Sequence, residues 1–425
     1  MTASPLFAAY RAATAALEPA GRPFLRWRLG RGKEDAARLG ERLGRAARPR
    51  PAGRLVWLHG ASVGEGISLL PLVDLLLARG FAVLLTTGTV NAARVLAPRL
   101  PAGAIHQFAP LDLPGAARRF IAHWRPDLAV LAESELWPNL VEGLHRAAVP
   151  LVLVNARMSE RSARRWSRAP GFIGALLGRT ALCLCQSEAD AARYRALGAP
   201  RVAVAGLLKY DVPAPAADPE AVARFSAAVG PRPLWVAAST HAGEEAALLD
   251  AEAALRRDVP EVLTVLAPRQ PHRGAALLAE AQRRGVPAAL RSRGDAIHAG
   301  TALYVADTLG ELGLWYRVSD LVFVGNSLAA PGGGQNPIEP ARLGCAVLHG
   351  PHTDNFADVY PALDAAGGAA PVVDAGHLAE AVATLLGDPA RLRAMARAAA
   401  EAVEGQGGAT LRTAEALAPF LGVEA

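Results

Sequence analysis

Residues 320–356 read DLVFVGNSLAAPGGGQNPIEPARLGCAVLHGPHTDNF, and this stretch decides the fold. The apolar run Leu321–Val324 stops at Gly325, a loop carrying Gly332, Gly333 and Gly334 follows, and a second apolar run spans Cys345–His349. Strand, glycine loop, helix start and strand is the pattern of a parallel α/β unit, whose doubly buried strands read as continuous apolar runs. Glycines let a backbone approach a ligand where a Cβ would clash. Pro337 fits the first turn of a helix, where its missing N–H is no loss. The amides of such a turn favour a phosphate, and Glu339 projects from the same turn, where a carboxylate can accept hydrogen bonds from a ribose. The segment predicts a nucleotide-binding end of a parallel sheet. A glycine-rich surface loop before an ordinary helix is the plainer alternative.

The alternation extends along the chain. Apolar runs at 55–60, 81–88, 127–133, 150–156, 181–187 and 201–206 predict buried parallel strands separated by helices, several of which end at a glycine such as Gly80 or Gly198. The proline-rich VPAPAADPE then reads as a linker. A second series of strands is predicted at 233–239, 261–268, 302–307, 321–325, 345–350 and 370–374, with helical periodicity from about residue 375. The economical architecture is α/β, with two doubly wound Rossmann-like domains and a ligand cleft between the carboxyl ends of their sheets. No GxGxxG follows the first strand, which weighs against a dinucleotide oxidoreductase.

With 425 residues, 52% hydrophobic and 20% charged, the chain is globular and long enough for two or three cores. The three cysteines include Cys183 and Cys185, two apart on a predicted strand, without companions that would complete a metal site. They read as structural thiols of a reducing compartment. A net charge of +6 points to an anionic partner. Aromatic residues are only 5% and no nucleic-acid motif is present, so an anionic lipid or phosphorylated small molecule fits at least as well as nucleic acid.

Residues 5–17 predict a helix with Phe7, Tyr10, Thr14 and Leu17 on one side, interrupted by Arg11 and ended by Pro19; it is short for a membrane span, and the expected attachment is peripheral or by a single N-terminal anchor. Arg26, Arg28, Arg31 and Lys33 are then interleaved with Phe24, Leu25 and Trp27. Rings at headgroup depth and cations on anionic lipid suit a membrane surface. A short cap helix packed on the domain is the alternative.

Polar groups recur where the strands end. Glu65 lies in HGASVGEG after the first strand, where a carboxylate serves either as a general base or as a helix cap. Glu133 and Glu135 follow the third expected strand, and Arg157, Arg161, Arg164 and Arg165 follow the fourth. Lys209 lies at the domain junction, and Ser239, Thr240 and His241 open a later helix. Arg269 and Arg273, then Gly310 and Glu311, complete the set. Their shared position after strands is the signal, rather than any one of them.

The strings HGASVGE, ESELWPNL, NARMSERS, QSEADAARYRALGA, GLLKYD, ASTHAGEE, APRQPHR, DTLGEL, GQNPIEPA and GPHTDNF occur in this order. In them the chain resembles the 3-deoxy-D-manno-octulosonic acid (Kdo) transferases, inverting GT-B glycosyltransferases that move Kdo from CMP-Kdo to lipid A precursors. The resemblance implies that Glu65 is the base that deprotonates the glucosamine hydroxyl, and that Glu133 and Lys209 stabilise the transition state. It assigns Pro268, Arg269, Leu309, Gly310, Glu311, Asn336, Pro337, Ile338 and Glu339 to CMP.

With the resemblance, the residues lay out as a membrane-associating segment at 1–33, read from its charge and aromatics, an acceptor-binding domain at 34–210, a linker at 211–232, read from its prolines, and a CMP-Kdo-binding domain at 233–425 that includes the C-terminal helices. The implied partners are CMP-Kdo, a lipid A precursor and inner-membrane surface lipids at the cytoplasmic face, with no nucleic acid. No cofactor or metal is implied, and no Asp-x-Asp motif is evident. Many members carry His where this chain has Gln335, so no acid role is expected there. A GT-B enzyme using a UDP-sugar and a lipid acceptor keeps the same fold and basic face and stands as the alternative. A membrane-peripheral nucleotide sensor would have no need of Glu65.

Overall fold

The apolar runs become strands. In the computed structural model, which describes residues 4–422, the first sheet comprises β1 (Leu55–His59), β2 (Ala82–Thr87), β3 (Ala104–Phe108), β4 (Leu128–Ala132), β5 (Leu151–Ala156), β6 (Leu182–Cys185) and β7 (Val202–Val204). The second comprises β8 (Leu234–Thr240), β9 (Leu263–Pro268), β10 (Ala288–Leu290), β11 (Leu303–Val305), β12 (Leu321–Val324), β13 (Ala346–His349) and β14 (Ala369–Pro371). The orders are β3-β2-β1-β4-β5-β6-β7 and β10-β11-β9-β8-β12-β13-β14, and the paired strands run parallel. In each sheet the chain order reverses beside the first strand, between β1 and β4 and between β8 and β12. Loops leaving the carboxyl ends there diverge to opposite faces and leave a crevice.

Every residue of β1, β4, β5, β12 and β13 is buried, as helices on both faces of a parallel sheet require. The two sheets repeat one polar device in their cores. Trp57 Nε1 donates to Thr86 Oγ1 at 2.8 Å, and Trp235 Nε1 donates to Thr264 Oγ1 at 2.9 Å. Each buried indole N–H is thereby satisfied on the neighbouring strand.

Two strands were not legible as apolar runs. β3 is AIHQF, and β10 has three residues; both are edge strands. An edge strand pairs on one side only, so it tolerates polar residues that an inner strand cannot.

The chain divides into one unit of residues up to Val212 together with those from Gly407 onward, and a second of Pro213–Gln406. The expected linker at 211–232 contains a helix, Pro219–Val229, capped by Asp218. Its Phe225 is buried within 5.5 Å of the Tyr304 ring and 5.1 Å of the Trp315 ring, ring centre to ring centre. The last helix also departs from expectation: Ala409–Leu421 belongs to the first unit, not the second. Leu417 and Leu421 pack among Leu69, Leu72, Val73 and Leu76. Arg412 Nε donates to the Ala205 carbonyl at 2.9 Å, Asp211 accepts the Gly408 N–H at 2.6 Å, and Arg54 reaches the Leu421 carbonyl.

The N-terminal helix Pro5–Ala16 is the packed cap. Phe7 is buried, Tyr10 donates to Asp112 at 3.0 Å, Arg11 pairs with Glu142 at 3.2 Å, and Asn139 donates to Thr14 Oγ1 at 3.0 Å. The next helix, Gly21–Leu29, buries Leu25 and leaves Phe24 and Trp27 exposed. Among the described residues no helix is long and apolar enough to cross a membrane. Cys183, Cys185 and Cys345 are all buried free thiols, with burial raising the pKa of each.

Because the final helix completes the first core, Leu417→Ala is expected to cost about 2–5 kcal/mol. The loss should appear in urea unfolding as a lower midpoint for the first unit, far in sequence from the substitution.

Candidate active site

At the reversal point of the first sheet, β1 ends in His59 and Gly60, and the helix Val63–Ala78 begins two residues after Ala61. A side chain at Gly60 would meet the Gly66 amide at 2.9 Å, so only glycine lets strand and helix close this tightly. Ser62 caps the helix by accepting the Glu65 N–H, and Glu65 Oε2 accepts the Ala61 N–H at 2.8 Å. Glu65 therefore does cap its helix. It remains half-buried, and its charge acts on Glu133.

Glu133 leaves β4 with φ 55°, a left-handed conformation that a non-glycine residue adopts only where its surroundings enforce it. Its amide is held on the Val154 carbonyl at 2.9 Å. Burial pushes its pKa up, Lys209 and Arg157 pull it down, and Glu65 and Glu135 push it further up. The structure thus brings Glu65, Glu133 and Lys209 to one place, with Arg157 beside them. Arg161, Arg164 and Arg165 stay on the exposed side of the helix Glu160–Trp166, where Arg164 pairs with Glu160 at 3.7 Å.

In the second unit the nine candidate positions are spread over three loops. Pro268 ends β9, and the Arg269 amide bonds the Thr240 carbonyl at 2.9 Å while its side chain is exposed. Leu309 is exposed, Gly310 has φ 83°, and Glu311 is clamped by Arg291 through bonds of 3.1 and 2.7 Å and by Thr308. That clamp holds the Glu311 carboxyl below the usual carboxylate range. Asn336 donates to Glu339 Oε1 at 3.1 Å and accepts the Ile338 N–H at 3.1 Å. Pro337 is the cap residue, one position before the helix Ile338–Arg342.

The glycine loop differs from its first reading. Side chains at Gly332, Gly333 and Gly334 would strike His352, Asn355 and Tyr360 at 2.4, 2.5 and 2.8 Å, so the glycines admit the following segment of their own chain. The amides of Gly333, Gly334 and Gln335 bond the carbonyls of His352, Asn326 and Gly325. Gln335 Nε2 lies 3.2 Å from His241 Nε2, and burial lowers the His241 pKa, so its ring nitrogen is available as an acceptor.

Asn155 and Glu244 were not singled out in the sequence, and Ser239 was noted there only as part of a helix opening. Asn155 and Ser239 have φ of 51° and 57°, and each sits where the register of its strand shifts against a neighbour. Asn155 Oδ1 accepts the Leu208 N–H at 3.1 Å, which fixes the turn that carries Lys209. Glu244 is buried and accepts the amides of His241, Ser327 and Leu328 at 2.9, 3.1 and 3.1 Å, and that of Asn326. One carboxylate thus ties the ends of β8 and β12 together. A long-range partner of this kind leaves no local sequence pattern.

Among the described residues no group of three or more His, Cys, Asp or Glu side chains is placed to hold a metal ion.

Two doubly wound parallel sheets in one chain, each with a reversal of strand order beside its first strand, define a GT-B protein. Solved structures share the fold at low identity. A putative UDP-N-acetylglucosamine 2-epimerase from Listeria monocytogenes aligns with TM-score 0.61 and 16% identity over 88% of this chain and 98% of its own. A glycosyltransferase from Rickettsia africae aligns with TM-score 0.59 and 11% identity over 87% and 99%. The family described as 3-deoxy-D-manno-octulosonic-acid transferase (kdotransferase) matches residues 37–212. The 3-deoxy-D-manno-octulosonic acid transferase of Bordetella pertussis is 39% identical, covering 91% of each chain. The probable mitochondrial 3-deoxy-D-manno-octulosonic acid transferase of Arabidopsis thaliana is 35% identical over 93% of this chain and 91% of its own. The chain belongs to the Kdo transferase family of glycosyltransferases.

The raised pKa of Glu133 has a thermodynamic signature. The folded chain holds this proton more tightly than the unfolded chain, so the stability it contributes is complete below the unfolded pKa and is lost as pH rises through the higher folded value. At neutral pH the fold carries the cost of the ionised group. Glu133→Gln is therefore expected to raise the melting temperature at pH 7 while lowering activity, with the gain shrinking toward pH 4. Thermal melts across that range check the sign.

Proposed function

We propose that this chain transfers Kdo from CMP-Kdo to a lipid A precursor at the cytoplasmic face of the inner membrane, in lipopolysaccharide synthesis. Glu65 takes the proton of the acceptor hydroxyl as its oxygen attacks the anomeric carbon of Kdo. The bond to the CMP phosphate breaks on the opposite side, so the anomeric configuration inverts. Negative charge grows on the phosphate oxygens, and the Lys209 ammonium is the group suited to stabilise it. Glu133 is the carboxylate whose charge interacts with Lys209. The observation that carries this reading is that Glu65 and Lys209 both act on the charge of Glu133, which leaves the end of β4 beside β1.

CMP is assigned to the second unit, on Pro268, Arg269, Leu309, Gly310, Glu311 and Asn336, Pro337, Ile338 and Glu339. Glu339, held by Asn336 at 3.1 Å, is the carboxylate proposed for the ribose hydroxyls. Because the helix behind it has five residues and Asn336 already occupies the Ile338 amide, its dipole is a minor contributor.

The membrane contact is assigned to the N-terminal surface. Leu17, Phe24 and Trp27 are 60%, 44% and 53% exposed. Arg31 stacks over the Trp27 ring at 4.0 Å and Arg28 lies 5.8 Å from the Phe24 ring centre, so cations and rings form one surface. Exposed aromatics beside arginines favour the headgroup layer of anionic lipid.

Transfer from CMP-Kdo to a tetraacylated lipid A precursor, read by mass spectrometry, tests the reaction. Kdo increments should form in the presence of EDTA, and Glu65→Ala should lower the rate by about 10²–10⁴-fold with CMP affinity nearly unchanged. Glu339→Ala should weaken CMP binding first. Activity with a UDP-sugar and none with CMP-Kdo would replace the donor assignment. Phe24→Glu with Trp27→Glu should reduce sedimentation with vesicles containing phosphatidylglycerol by about tenfold, and unchanged binding would remove the N-terminal surface from the membrane contact.

A further inference from the structure

Trp57, Trp124, Trp235 and Trp315 are fully buried, and Trp166 stacks on Phe172. Trp137 is different: it lies 43% exposed at the end of the loop that carries Glu133 and Glu135. An exposed tryptophan is ordinarily free to turn. This one is fixed, because its indole Nε1 donates to Glu135 Oε2 at 2.7 Å.

The fixing group is itself held from the core. Glu135 Oε2 lies 3.7 Å from Nε2 of His59, a buried residue at the end of β1. His59 Nδ1 lies 2.9 Å from Thr86 Oγ1, which receives the Trp57 indole N–H. His59 Nδ1 lies 3.2 Å from the Thr86 carbonyl as well, so the ring is held on β2 from that side while its Nε2 faces Glu135. Burial works against the Glu135 charge, but the nearby His59 and the bond from Trp137 together hold its pKa below the usual carboxylate range. Glu133, two residues earlier, is pushed the other way. Glu135 is therefore a fixed acceptor, and what it fixes is an aromatic ring open to solvent beside the proposed catalytic groups.

We infer that Trp137 is the stacking platform for the glucosamine ring of the acceptor, and that Glu135 and His59 are positioning residues that lock the indole for it. A pyranose presents a face of C–H groups that packs against an aromatic ring. The polar edge of the sugar remains free for the hydroxyl to reach Glu65. A rigid platform lowers the ordering cost of binding, because the ring does not have to be immobilised when the sugar arrives. This inference rests on the acceptor reading given above for the first unit.

The test is steady-state transfer from CMP-Kdo to the lipid A precursor in mixed micelles, with KM measured separately for donor and acceptor. Trp137→Ala should raise the acceptor KM by about tenfold with kcat within about threefold and donor KM unchanged. Trp137→Phe, which keeps a ring, should recover most of the loss. Glu135→Ala should raise the acceptor KM in the wild-type background and add nothing in the Trp137→Ala background, because it acts through the indole.

An unchanged acceptor KM in Trp137→Ala, or no recovery with Phe, would overturn the stacking role. Donor and acceptor constants moving together with a fallen melting temperature would do the same and mark the residue as structural. Effects of Glu135→Ala and Trp137→Ala that add in full would overturn the positioning role alone. If the wild-type chain transfers no Kdo at all, the acceptor reading fails and the inference fails with it, whereas the other outcomes leave that reading standing.

Discussion

The reversal of strand order beside β1 and β8 is the constraint on which everything else depends. A parallel sheet buries both faces of its inner strands, so polar groups can emerge only at strand ends. Where neighbouring connections depart to opposite faces, those ends are left uncovered. His59, Glu133 and Glu135 stand at one such point, and Ser239, His241 and Asn326 at the other. The left-handed φ values of Glu133, Ser239 and Asn326 fall at these same two points, and that of Asn155 at the end of the adjoining β5. Arg125 and Ala148, which follow helices, are the other non-glycine residues with left-handed φ among those described, so strain is shared between helix ends and the strand ends where side chains must be aimed.

Charge is organised differently at the two points. In the first unit like and unlike charges are crowded: Glu133 sits near Glu65 and Glu135 as well as Lys209 and Arg157, and burial opposes its ionisation. Such an arrangement is unfavourable for a group whose only task is structural, and it suits one that must sense a proton or a developing charge. In the second unit the carboxylates are quenched instead. Glu244 is saturated by backbone amides, Glu245 by Arg273 at 3.0 and 2.7 Å, and Glu311 by Arg291. These pairs hold loops in place, which is what binding a preformed nucleotide asks of a site.

Much of this was legible in advance. Twelve of the fourteen strands announced themselves as apolar runs, and the polar strings at their ends supplied the candidate site residues. What escaped had physical causes. β3 and β10 lie at sheet edges and need no unbroken apolar run. The helix Pro219–Val229 follows a proline-rich stretch, and its single buried aromatic, Phe225, gives little periodicity to read. Glu244 looked like one more acidic residue at a helix start, since its amide partners at 326–328 lie some eighty residues away in sequence.

The sequence by itself determined the two-sheet architecture, the family and the residues at the strand ends, because strand burial and local motifs are written in contiguous residues. Only the tertiary structure decided the unit to which the last helix belongs, why the three glycines are required, and how Trp137 is held. Each of these depends on which distant side chain fills a given space, and hydrophobic periodicity carries no information about that. The glycine loop shows the difference most directly: its composition signalled a close approach of backbone, but the groups approaching it are His352, Asn355 and Tyr360 of the same chain.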